Sequence, residues 1–121
     1  MLVDDEVDLT SVAQHLLEGQ GYLVTTKNSP FEAMDALRAE PAAFDLVITD
    51  LTMPGMDGVK LGAELLKIKP QLPIILTTGY SRTITDEKAR ALGFLRLLPK
   101  PCAPEVLIEA VYRVFQPAGG K

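Results

Sequence analysis

The 121-residue sequence predicts an α/β fold, a doubly wound five-stranded parallel sheet with helices on both faces. Three observations lead there. Short apolar runs alternate five times with stretches of helical periodicity, and Gly or Pro marks most of the changeovers. The run Leu46 to Thr49 is continuously apolar rather than alternating, as in strands covered on both faces. Short βα units of this kind make a parallel sheet, and right-handed crossovers place helices on either side of it.

The first strand has only Leu2 and Val3 between Met1 and an acidic pair, and both chain ends read as cut from something longer. Helix one is predicted from Val7 to about Gln20, with Leu9, Val12, Ala13, Leu16 and Leu17 as its core stripe and Gly21 as its terminator. Tyr22 to Thr26 is β-branched and aromatic and reads as strand two. In "SPFE", Ser29 is placed to cap, Pro30 suits the first helical position and Glu32 completes a capping box for a helix to about Glu40. After strand three, a helix is expected from Gly58 to about Lys69, then strand four at "IILTT". Thr85 or Thr83 caps a short fourth helix ending near Leu92. Leu95 to Leu98 is strand five, whose closing Pro99 suits a sheet edge, and Pro104 opens the last helix.

The whole chain, 1–121, reads as one domain, with 116–121, "QPAGGK", as a linker or tail. A net charge of -4 and a pI near 4.9 argue against direct contact with nucleic acid. One cysteine, Cys102, no signal peptide and no long apolar run favour a reducing compartment, the cytoplasm, without membrane contact by this domain.

In doubly wound sheets the ligand site lies beyond the carboxyl ends of the strands. Residues falling there are Asp4 and Asp5, Thr26 and Lys27, Asp50, Thr77 and Thr78, and Lys100. Carboxylates about 4 Å apart repel by roughly 4 kcal/mol at an effective dielectric near 20, so three of them call for a cation. Lys100 supplies one charge, and Mg²⁺, which takes one or two protein carboxylates and keeps waters or phosphate oxygens, supplies two. A metal and a lysine around an exposed carboxylate suit phosphoryl transfer, with Asp50 as nucleophile.

The ordered segments "VDDE", "VITDLTMPGMDG", "LTTGY" and "PKP" make the chain resemble, over nearly its whole length, the receiver domain of two-component response regulators and hybrid histidine kinases. That resemblance implies the flavodoxin-like strand order 2-1-3-4-5. It also implies an aspartyl phosphate on Asp50, taken from the phosphohistidine of a histidine kinase or histidine phosphotransfer domain. Mg²⁺ would be held by Asp5, Asp50 and the main-chain carbonyl of Thr52, with Asp4 acting through water. Thr78 and Lys100 would meet phosphoryl oxygens, and Lys100-Pro101 would be a cis bond. Such a domain catalyses only its own phosphorylation and dephosphorylation. The loop "TGYSRTIT" resembles receivers joined to hybrid kinases, and the surface of helix four, strand five and helix five is the implied partner face.

Leu97 departs from the resemblance, since receivers carry Tyr or Phe there, so switching is expected to rest on Thr78 and residues 79 to 92. Thr52 and Tyr80 stand at the positions that tune loss of the phosphoryl group. Tyr80 is bulky and Gly79 leaves room, which implies slow self-dephosphorylation.

Plainer roles compete at several positions. Asp4 and Asp5 would serve as caps of helix one, Asp57 as the cap of helix three, and Thr77 as an ordinary strand residue. Asp45 belongs to the opposite edge, His15 to the surface, and Cys102 to packing. Among other functions, a haloacid-dehalogenase-type phosphatase needs a second Asp where Thr52 stands, and a flavodoxin needs a phosphate-wrapping loop where "DDEVD" stands. A receiver-like adaptor that takes no phosphate and acts only by protein contacts is the main alternative. The output domain and downstream partner are not legible.

Overall fold

The computed structural model describes residues 1–79, 85–99 and 103–115. Among them lie strands β1 (Leu2–Val3), β2 (Thr26–Lys27), β3 (Val47–Asp50), β4 (Ile74–Thr78) and β5 (Arg96–Pro99). Between and after these run helices α1 (Val7–Glu18), α2 (Pro30–Ala39), α3 (Gly58–Ile68), α4 (Asp86–Ala91) and α5 (Pro104–Val114). All strand pairs are parallel, and the order is β2-β1-β3-β4-β5, as the sequence predicts.

Neighbouring residues of each central strand point to opposite cores, which is why those strands are apolar throughout. Val3, Val47, Ile74 and Leu76 meet Leu37, Leu61 and Leu65 of α2 and α3. Leu2, Ile48 and Ile75 meet Leu17 of α1 and Leu107, Ala110 and Val111 of α5. Ile74, Ile75 and Leu76 are fully buried, and each contributes roughly 2 kcal/mol by leaving water.

The helix ends follow local chemistry. Ser29 accepts from the Phe31 amide at 3.2 Å, Asp57 from Lys60 at 2.8 Å, and Thr85 from Lys88 at 3.1 Å. The Ser29 bond falls one residue short of the capping-box pattern. Gly21 and Gly93, at φ of 96° and 100°, turn the chain out of α1 and α4 in a conformation that side chains with a Cβ resist. Midway along α3, Gly62 opens space for the buried Phe94: a Cβ there would collide with the ring, with Cζ only 2.6 Å away.

The structure departs from the sequence expectations in four places. Strand two is not Tyr22 to Thr26 but Thr26–Lys27, because β1 offers only Leu2 and Val3 as partners and the ladder ends with them; Leu23 stands fully exposed. The stripe of α1 is also narrower than its periodicity suggests. Leu17 is buried, whereas Leu9 and Val12 are exposed at 43% and 59%, and Thr10 is buried instead. Burial of Thr10 is possible because its hydroxyl donates to the Val7 carbonyl at 2.8 Å, satisfying the polar group within its own helix. Strand three and strand five each lie one residue later than the sequence suggested, so that Asp50 and Pro99 are their last residues.

Candidate functional site

At the carboxyl edge of the sheet, β1 delivers Asp4 and Asp5 and β3 delivers Asp50. One carboxylate oxygen from each lies within 4.8 Å of the others. Asp4 and Asp50 are only 8% and 6% exposed, whereas Asp5 is open to solvent. The Asp4 carboxylate accepts the Glu6 amide at 2.9 Å, just ahead of α1. That bond engages one of its two oxygens.

The donor set suits a hard divalent cation. With one oxygen from each residue within 4.8 Å of the others, all three are close enough for a single cation to draw on them. Two buried carboxylates at such separation repel by about 3 kcal/mol when both are ionised at an effective dielectric near 20, which a cation would relieve.

Residues after β3 are held by alternate anchors. Leu51 and Met53 are both buried, which turns Thr52 between them outward. The Leu51 amide donates to the Thr77 carbonyl at 2.7 Å, and its own carbonyl accepts the Gly58 amide at 2.7 Å. The start of α3 therefore rests on the backbone of the Asp50 segment. A Cβ on Gly58 would run into the Asp50 carbonyl oxygen and lie 2.9 Å from the Leu51 Cα. At the turn, Gly55 has φ 87° and faces the Phe31 ring, 3.1 Å from where its Cβ would be.

Thr77 is level with Asp50 in the β3–β4 register, and Thr78 follows it at the strand end, level with Pro99. Both threonines are half-buried and Gly79 is exposed. Leu97 is half-buried against the α2 and α3 core, and its amide donates to Asp86 of α4 at 2.9 Å, which occupies an outward N–H of this edge strand. Lys100, Pro101, Tyr80 and Cys102 lie outside the described residues, as do 116–121. Asp57 caps α3, and His15 is exposed on α1. Asp45 lies toward the opposite edge, near the Met1 amino group; burial lowers that group to about 6, against the opposing pull of Asp45.

One residue that no sequence pattern singles out is Asn28, just after β2. Its side-chain amide donates to the Asp4 carbonyl at 2.8 Å and to the Thr10 hydroxyl oxygen at 3.3 Å. A polar residue at the same sheet edge as the acids was the available signal.

A family model described as the response regulator receiver domain matches residues 1–112. The C4-dicarboxylate transport transcriptional regulatory protein DctD of Rhizobium meliloti (strain 1021) is 37% identical over 112 residues, 93% of this chain and 24% of that protein. Transcriptional regulatory protein ZraR of Escherichia coli (strain K12) is 36% identical over 101 residues, 84% of this chain and 22% of that one. The chain thus spans about a quarter of these relatives, both of which are transcriptional regulatory proteins. A response regulator receiver domain protein from Clostridium thermocellum superposes with a TM-score of 0.87 at 29% identity, covering 93% of this chain and 90% of that one.

Proposed function

Because the chain belongs to the response regulator receiver domain family, we propose that it is a phosphoacceptor switch in which Asp50 takes a phosphoryl group in a Mg²⁺-dependent reaction. The observation that carries this reading is the meeting of three carboxylate oxygens from two strand ends within 4.8 Å, with Asp50 nearly buried. Asp5, Asp50 and the Thr52 carbonyl would hold the cation directly, and Asp4 would hold it through water. Bound Mg²⁺ supplies neutralisation of the carboxylates and of the phosphoryl oxygens.

The donor is the phosphohistidine of a histidine kinase or phosphotransfer domain. An Asp50 oxygen forms the new P–O bond as the P–N bond breaks, and the imidazole departs with that bonding pair. Lys100 and Thr78 meet the phosphoryl oxygens, and Thr78 carries the change to residues 79 to 92. The domain works in the cytoplasm, its site facing the solvent. Among the described residues no helix is long and apolar enough to cross a membrane.

Incubation with acetyl phosphate tests the reading. With Mg²⁺ the intact mass should rise by one phosphoryl group, and with a chelator it should not. Absence of the adduct at millimolar Mg²⁺ leaves an adaptor acting by contacts alone. Loss of the phosphoryl group should be slow and Tyr80→Ala should hasten it several-fold; an unchanged decay removes the shielding role of Tyr80.

A further inference from the structure

We propose that Asn28 is a positioning residue of the cation site, fixing the peptide plane that joins Asp4 to Asp5. This rests on the Mg²⁺ reading of the three acids. The Asp4 carbonyl can only accept, so the Asn28 side chain must present its NH₂ to it, at 2.8 Å. Thr10 confirms that orientation: its hydroxyl proton is spent on the Val7 carbonyl, leaving a lone pair for the second Asn28 hydrogen at 3.3 Å. On the other side, the Asp4 amide donates to the Lys27 carbonyl at 3.1 Å. Residues 27 and 28 thereby grip Asp4 by both of its backbone polar groups, and the Glu6 amide holds its carboxylate.

Asp5 is different. It is the exposed member of the trio, and its carboxylate has no hydrogen-bond or ion-pair partner among the described residues, so what aims it is its backbone. The carbonyl that Asn28 holds belongs to the peptide whose nitrogen is that of Asp5. Without the Asn28 donor that plane can rotate, and the Asp5 oxygen must be ordered when the cation arrives. Supports of this kind, one bond behind a ligand, commonly change metal affinity by about tenfold or more.

The experiment is a calorimetric titration of the chain with MgCl₂, alongside amide hydrogen exchange in the metal-free protein. Asn28→Ala should weaken Mg²⁺ binding by about tenfold and lower protection of the Glu6 amide. Ser29→Ala, next door, removes the α2 cap but touches neither Asp4 nor Asp5, and should bind Mg²⁺ as the parent does. Asn28→Asp keeps the shape, removes the donor and adds a negative charge; it should also bind more weakly, although charge alone would tighten binding. Equal affinity in Asn28→Ala, or tighter binding in Asn28→Asp, overturns the positioning role while the Mg²⁺ reading stands. A parent chain that binds no Mg²⁺ overturns both.

Discussion

Asp50→Asn is expected to fold like the parent and to gain no phosphoryl group from acetyl phosphate at any Mg²⁺ concentration. The amide has nearly the same shape, and its place at the buried end of β3 is set by backbone pairing with β4, which the substitution leaves alone. What it lacks is the anionic oxygen, so no acyl phosphate can form. Removing one of three crowded carboxylates should also raise stability by up to about 2 kcal/mol without Mg²⁺, since repulsion among them is relieved. Intact mass and urea unfolding report the two effects together. An adduct persisting in Asp50→Asn would move the acceptor elsewhere, and a large loss of stability would mean that the carboxylate holds the fold and not the chemistry.

Gly58→Ala should be the most damaging one-carbon change near the site. The new methyl would meet the Asp50 carbonyl and the Leu51 Cα, which are backbone atoms inside a hydrogen-bonded strand and cannot swing aside. Relief requires α3 to lift away, breaking the 2.7 Å bond from the Gly58 amide to the Leu51 carbonyl. A loss of about 3 kcal/mol is expected by urea unfolding, the upper part of the range for overpacking. Acetyl phosphate labelling should slow as well, because the backbone that aims Asp50 is displaced. If stability and labelling both match the parent, α3 does not bear on Asp50 as described.

Much of this was legible in the chain because the deciding interactions are local or periodic. Asp57, Ser29 and Thr85 cap the helices that follow them, and such bonds span two or three residues. The meeting of Asp4, Asp5 and Asp50 was also readable, since a parallel sheet brings strand ends together whatever lies between. Other features depend on partners that periodicity cannot see. Tyr22 to Val24 has strand-like residues, but its length in the sheet is set by β1, and only Thr26 and Lys27 find a ladder. Thr10 is buried in place of Leu9 because a hydroxyl can close a bond within its own helix. Asn28 acts across a separation of 24 residues on a main-chain atom, which leaves no trace in side-chain pattern.

The lodging of Phe94 over Gly62 makes volume a shared property of helix α3 and the turn before β5. A helix grafted in from another member of this architecture, bringing Leu to position 62, would dock only if position 94 shrank with it. Trading the two sizes, a bulky residue at 62 for a small one at 94, should keep the core filled, whereas either exchange alone leaves a hole or a collision.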